Sequence, residues 1–227
     1  MSNLRRFGLD EITPVVKNLI LLNLSVAAIT FFYPNITLIF ANHYPSSPYF
    51  GNWQIVTSIF THFGFAHLIF NMFSLYMFGC KLEIAIGSQR FIFLYLSCGI
   101  LAGLFCWLID AITVYNILGK LMVNQNDVAN NIQLIPIVTT HSAGASGAIF
   151  GVMAAFAYLF PNTYFRDIFF PIPIKAKIMV PLMIVFSYVA ILRGQNDGIG
   201  HYAHIGGAIF GFLLVLFWNK TNKKDFY

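Results

Sequence analysis

Charge is what this 227-residue chain has least of: 9% of its residues are charged, against 58% hydrophobic and 17% aromatic. A water-soluble domain carries about 25% charged residues, so these are too few to coat a globule of this size, and a soluble enzyme is excluded. Disorder is excluded by the opposite excess, because 25 Phe, 11 Tyr and 3 Trp make the chain too apolar to stay solvated. Cysteine is scarce as well. Cys80, Cys98 and Cys106 are an odd number, all in apolar stretches and without a Cys-x-x-Cys, which reads as small core hydrophobes rather than a disulfide framework or a metal set. No Asp or Glu lies within four residues of His62, His67 or His204, so a zinc site of the His-Glu-x-x-His kind has no support. Phosphate-cradling glycine loops and nucleic-acid patches are missing too. The expectation is therefore no metal, no cofactor and no nucleic acid. Arg5 and Arg6 precede the first apolar run, but Asp10 and Glu11 intervene and no small-residue cleavage site follows, so a retained first span is expected rather than a cleaved signal peptide.

What remains is a polytopic membrane protein with its apolar surface toward lipid, as a mean hydropathy of +0.73 suggests. About 20 mostly apolar residues are needed to cross the hydrocarbon as a helix. Six such runs stand out, roughly Pro14 to Tyr33, Ile59 to Cys80, Phe91 to Ile109, Ser146 to Phe160, Ile174 to Leu192, and His201 to Trp218. With both termini inside, every basic residue except Lys120 and Arg193 falls in an inside segment or its flank. That asymmetry favours an even span number with N-in, C-in topology. The net charge of +5 then reports orientation and contact with the headgroups of the lipid bilayer. The first outer connection, Pro34 to Ser58, carries three prolines and Tyr49-Phe50-Gly51-Asn52-Trp53, a composition suited to a loop at the membrane interface. The second, Asp110 to Ala145, is polar around Asn124. Neither holds a domain of its own, so residues 1–227 are expected to form one all-α membrane domain with a core of about 14–218.

Polar groups at membrane depth are costly, which makes each a functional candidate. His43 and His141 fall in or beside loops, and His62 near a span end, where structural roles are the simpler reading. His67 and Asn71 are four residues apart, on one helical face; interhelical hydrogen bonding is the plain alternative to a joint donor site. Ser146 opens the fourth span in Gly144-Ala145-Ser146-Gly147. The roughly 15 residues after it make a helix of about 22 Å, short of the roughly 30 Å hydrocarbon core, so the serine lies below the outer surface at a helix N-terminus. The Gly-x-Ser-x-Gly elbow of soluble hydrolases is not matched, since Ala148 stands where its second glycine would be. Gly-Ala-Ile-Phe-Gly occurs at 147–151 and again at 207–211. Each copy is a Gly-x-x-x-Gly face, from which close packing of the fourth and sixth spans is expected. His204 precedes Gly207 by three residues and so comes within reach of Ser146, the minimal pair for an activated nucleophile. The nearest acid, Asp197, sits in a turn-like Gln195-Asn196-Asp197-Gly198, where a turn or cap role is preferred. Ring orientation in the resulting dyad then has to come from packing.

At this point the chain resembles the rhomboid intramembrane serine proteases. The matching motifs are His67-x-x-x-Asn71, Glu83-x-x-x-Gly87-Ser88-x-Arg90, Gly144-Ala145-Ser146-Gly147 and Ala203-His204-x-Gly206-Gly207. The resemblance implies a six-transmembrane-helix rhomboid-like bundle with an interfacial first outer loop. It implies Ser146 as nucleophile and His204 as general base, with His67, Asn71 and the Ser146 backbone N–H stabilising the oxyanion. The substrates it implies are transmembrane or juxtamembrane segments of other proteins, entering past the fifth helix and the Arg193 to Gly200 loop. Many members have Trp-Arg where this chain has Trp53-Gln54, and many bacterial ones have Tyr where it has Phe150, which keeps a stacking face for the histidine. A bacterial plasma membrane, with the site open to the outer side, is expected by analogy. The alternative functions are a non-catalytic binding or quality-control role on the same fold, and a small-solute transporter, for which no paired half-helix repeat is visible.

Overall fold

A computed structural model describes residues 12–165, 173–194 and 199–221; the expectations attached to Arg5, Arg6, Asp10, Glu11, Arg166, Asp197, Lys223 and Lys224 lie outside them. Among the described residues the principal helices are α1 (Pro14–Phe32), α2 (Phe65–Ile86), α3 (Ser88–Leu118), α4 (Ser146–Leu159), α5 (Ala176–Leu192) and α6 (His201–Thr221). By length and composition α1, α2, α3 and α6 are able to cross a membrane, while α4 and α5 are shorter, at 14 and 17 residues. Extended pairing among the described residues comprises a two-residue antiparallel ribbon, Tyr164–Phe165 against Ile174–Lys175, and a single bridge between Asn42 and Ser142.

Local chemistry explains the boundaries. Pro14 sits in the first turn of α1, where a missing N–H costs nothing. The free donors of that turn are taken by a residue far along the chain: Val15 and Val16 donate their N–H groups to the Glu83 carboxylate at 3.1 and 3.0 Å. The hydroxyls of Thr13 and Ser88 donate to the same carboxylate at 2.6 and 2.7 Å. A buried carboxylate with four donors is fully satisfied, and it pins the start of α1 to the α2–α3 turn. That turn is made by Gly87 at φ +83°, a conformation open to glycine.

Two spans differ by more than three residues from their sequence-based limits. The second runs Phe65–Ile86 instead of Ile59 to Cys80, because Ser58–Phe60 forms a separate 3₁₀ turn and Gly64, at φ +124°, redirects the chain. A π-helical stretch, Leu75–Gly79, lies in its middle. The third extends nine residues past its expected end at Ile109, to Leu118. Asp110 does not stop it; no Pro or Gly intervenes before Gly119, which caps the helix at φ +67°. Val114, in this extra length, packs with Tyr44 and Leu134 of the connections at 34–58 and 110–145. Those connections are also more ordered than loops. They hold short helices at Asn35–Phe40, Gln54–Thr57, Gln125–Asn130 and Ile135–Thr139, the third opened by a reciprocal Asn124–Asp127 capping box.

The helix α4 is the centre of the molecule, buried on every face from Gly147 to Phe156, as expected of a helix enclosed by others. Its glycines allow this. A methyl placed on Gly207 would overlap the Gly147 carbonyl, and one on Gly211 the Gly151 backbone. The repeated Gly-x-x-x-Gly faces therefore meet each other, with α4 and α6 running parallel. On the other side α3 runs antiparallel, with Ala102 against Gly147 and Cys98 against Gly151.

Candidate active site

Ser146 is the first residue of α4. Gly144, at φ +132°, turns the chain just before it, with its N–H bonded to the Ser58 carbonyl at 2.9 Å. Ala145 O accepts from Ile149 N at 2.9 Å, so the N–H groups of Ser146, Gly147 and Ala148 have no acceptor within the helix and form its positive end. The imidazole of His67 stands against this turn: a Cβ on Gly144 would stand 2.7 Å from His67 Cε1 and 3.0 Å from Nε2. Glycine at 144 is thus needed twice, for its φ and for the ring beside it. Asn71 is buried one turn along α2 and gives one amide hydrogen to the His67 carbonyl at 2.9 Å. An amide has two such donors, so one bond leaves the other for a ligand. His62 packs edge-on against His67, with ring centroids 5.1 Å apart. Burial, with His67 beside it, pushes His62 down to about 4, so it is neutral at pH 7.

His204 reaches the same place from α6. Its ring stacks on Phe150, with centroids 4.1 Å apart and planes 6° from parallel. Phe150 is four residues after Ser146 and shares its face of α4, so the imidazole lies on the serine's side of that helix, about one turn along it. His204 Nδ1 is 3.3 Å from the hydroxyl of Ser187 on α5. The surroundings of this ring thus include a hydroxyl as well as the Phe150 face. A cavity of about 330 Å³, lined by Phe150, Met183, Phe186, Ser187, His201 and His204, opens beside the ring. A smaller one of about 30 Å³ touches Ser58, Ser142, Gly144 and Ser146, large enough for about one water-sized group. Among the described residues no group of three His, Cys, Asp or Glu side chains is arranged to hold a metal ion.

Of the sequence-based candidates, His204 stacks on Phe150, one turn of α4 after Ser146, His67 lies against Gly144, two residues before it, and Asn71 lies one turn along α2 from His67. His43 and His141 lie elsewhere, with rings 5.1 Å apart. His43 bonds the Leu38 carbonyl through Nε2 at 2.9 Å, and burial lowers its pKa. Gln54, at the family's Arg position, is 0% exposed. Its amide donates to the carbonyls of Tyr49 and Ile39 at 2.7 and 3.1 Å, so it ties the first outer connection together without an ion pair. Asn42 and Ser142 exchange backbone bonds of 2.8 and 3.0 Å, which fasten that connection to the segment leading into Ser146. Sequence reasoning missed Ser187, although it is a lone hydroxyl inside an apolar span and the rule that singled out the histidines applies to it as well.

Helices of this length and apolarity, enclosing a serine at a helix N-terminus and a buried histidine, define a mostly helical, multi-pass integral membrane protein. A family model, the Rhomboid domain, matches residues 50–220. The chain belongs to the rhomboid family. It is similar to "Rhomboid protease AarA" of Providencia stuartii, with 30% identity over 221 residues covering 93% of this chain and 74% of that protein. It is also similar to "Rhomboid protein 1, mitochondrial" of Saccharomyces cerevisiae, at 30% over 174 residues, 76% of this chain and 43% of the relative. A third relative is an uncharacterised mitochondrial rhomboid protein of Schizosaccharomyces pombe, at 27% over 217 residues, 75% of this chain and 52% of that protein. The chain therefore spans about half the length of the two yeast relatives. The family includes proteases, among them "Rhomboid protease GluP" of Bacillus subtilis, 30% identical over 161 residues.

Proposed function

We propose that this chain is an intramembrane serine endopeptidase that cleaves transmembrane or juxtamembrane segments of other membrane proteins with a Ser146–His204 dyad. The carrying observation is the parallel stack of His204 on Phe150, one helical turn below Ser146 at the α4 N-terminus. Oγ of Ser146 attacks the scissile carbonyl as the His204 imidazole takes its proton. The negative charge on the carbonyl oxygen is met by the Ser146 N–H at the positive helix end, by His67 beside Gly144 and by Asn71 one turn along α2. His204 returns the proton to the leaving amine, and water then releases the acyl chain from Ser146. A helical substrate must unwind to expose a carbonyl, which favours segments holding Gly, Ala, Ser or Pro.

The reading takes the six principal helices as six spans of one membrane domain, N-in and C-in. Ser146 is then near the outer side and the connection at 34–58 interfacial. Its exposed Tyr49 and Trp53 suit that depth. A bacterial plasma membrane is proposed, while the relatives include mitochondrial ones. The test is labelling of purified protein by a fluorophosphonate, together with cleavage of a transmembrane substrate, for wild type and Ser146→Ala. Labelling and cleavage by wild type, both lost in Ser146→Ala at unchanged melting temperature, is the expected result. Absence of both in folded wild type would instead favour the non-catalytic binding role.

A further inference from the structure

The inward face of α5 is apolar except at one position. Met179, Val180, Ser187 and Ala190 are buried, while Leu182, Val185, Phe186 and Tyr188 are exposed. Ser187 is 1% exposed and its Oγ lies 3.3 Å from His204 Nδ1. A serine hydroxyl carries lone pairs that can accept from an imidazole N–H. An imidazole NH needs such an acceptor when buried. Phe150 from α4 and His201, whose ring centroid is 6.0 Å away on α6, also pack on this ring. Cys98 and Phe105 of α3 approach α4 and α6 at Gly151 and Gly206. None of the carboxylates in the described residues lines the cavity beside the ring.

We propose that Ser187 is a positioning residue for the general base: its hydroxyl accepts the Nδ1–H hydrogen bond of His204 and so leaves Nε2 as the nitrogen that takes the Ser146 proton. This rests on the Ser146–His204 reading above. The bond does two things. In the resting enzyme it holds the ring at Nδ1, where the hydroxyl accepts from the N–H that the dyad reading requires there. During attack it strengthens, because the ring becomes a cation and a hydrogen bond from a cation is stronger than one from a neutral donor. A carboxylate in this position would serve the same end with a full charge; a hydroxyl does it without burying one. The contact also makes α5 part of the catalytic apparatus, so a displacement of α5 alters the base as well as the space beside it.

The test uses the full-length protein with four variants and a transmembrane substrate, following kcat and KM across pH. Ser187→Thr and Ser187→Val have nearly the same shape and differ in the hydroxyl. Ser187→Val and Ser187→Ala should lose about tenfold in kcat with KM nearly unchanged, the size expected for one hydrogen bond to a group that becomes charged. The acid limb of kcat/KM, which reports the free base, should move to lower pH in both, because the imidazolium loses its acceptor. Ser187→Thr should restore rate and limb. Equal behaviour of Thr and Val, or an unmoved limb in Val and Ala, would overturn the proposal and leave Ser187 as packing. Ser146→Ala is the separate check on the dyad: if it still cleaves, the reading beneath the proposal fails. If it is inactive and the Ser187 series is flat, only the proposal fails.

Discussion

A serine, a histidine and an aromatic ring account for most of the site at the residue scale. Phe150 lies under the imidazole with the two planes 6° from parallel, so a Phe at this position supplies a stacking face for the histidine. Asn71 is the residue whose role is most sharply testable. Its amide already holds the His67 carbonyl, so it is held in place and has one hydrogen to offer. Removing one oxyanion donor typically costs about 10²–10³ in turnover. Asn71→Ala should therefore lower kcat by about that factor with KM little changed, in steady-state kinetics on a transmembrane substrate. A raised KM with normal kcat would move Asn71 to substrate binding. His67 and Asn71 were legible as a pair from their spacing; that Gly144 admits the His67 ring was not, because the contact joins residues 77 positions apart in the chain and only tertiary packing brings them together.

Between elements, the decisive contact is backbone on backbone. The repeated Gly-Ala-Ile-Phe-Gly segments foretold that α4 and α6 meet, and the structure brings Gly207 onto Gly147 and Gly211 onto Gly151. A branched side chain at 207 meets a carbonyl, which cannot rotate away. Gly207→Val should lower stability by about 1–3 kcal/mol and, by moving His204 from Ser146, lower activity by on the order of 10²-fold or more. Gly207→Ala should show a smaller version of both. The matched control is Gly79→Val, where a new Cβ meets Val16, Phe91 and Leu75 side chains at 2.9 to 3.2 Å, at the end of the bundle opposite the site. It should lower the melting temperature while the folded fraction cleaves normally. Gly103 looks remote from the motifs in sequence but is no control: a Cβ there would stand 3.3 Å from Asn42 Nδ2, whose backbone fastens the outer connection to the strand of chain before Ser146. Normal melting and cleavage by Gly207→Val in the same detergent would disprove the contact and the geometry built on it.

For the molecule as a whole, two fasteners at opposite ends hold the helices in register. Glu83 gathers the start of α1 and the α2–α3 turn, while the Asn42–Ser142 bridge and the Gly144–Ser58 bond gather the other end around Ser146. The proposed orientation puts the first inside and the second outside. Single cysteines at Asn126, in an exposed short helix, and at Thr221, the end of α6, test it with a membrane-impermeant thiol reagent. Asn126→Cys should label in intact cells and Thr221→Cys only after lysis; the reverse pattern would refute N-in, C-in topology. Membrane class, the centres of the apolar helices and the pairing of glycine faces were determined by the sequence alone, because burial in lipid demands long apolar runs and close packing demands small residues at a fixed period. Helix ends were decided by tertiary structure, since Gly64 and Gly119 act through φ angles that composition does not reveal and α3 continues past Asp110 to reach a second apolar cluster. The partner of the histidine was decided there too. Ser187 and His204 are 17 residues apart on different helices, and no local pattern relates them; they meet because α5 turns its one buried hydroxyl toward the crossing of α4 and α6.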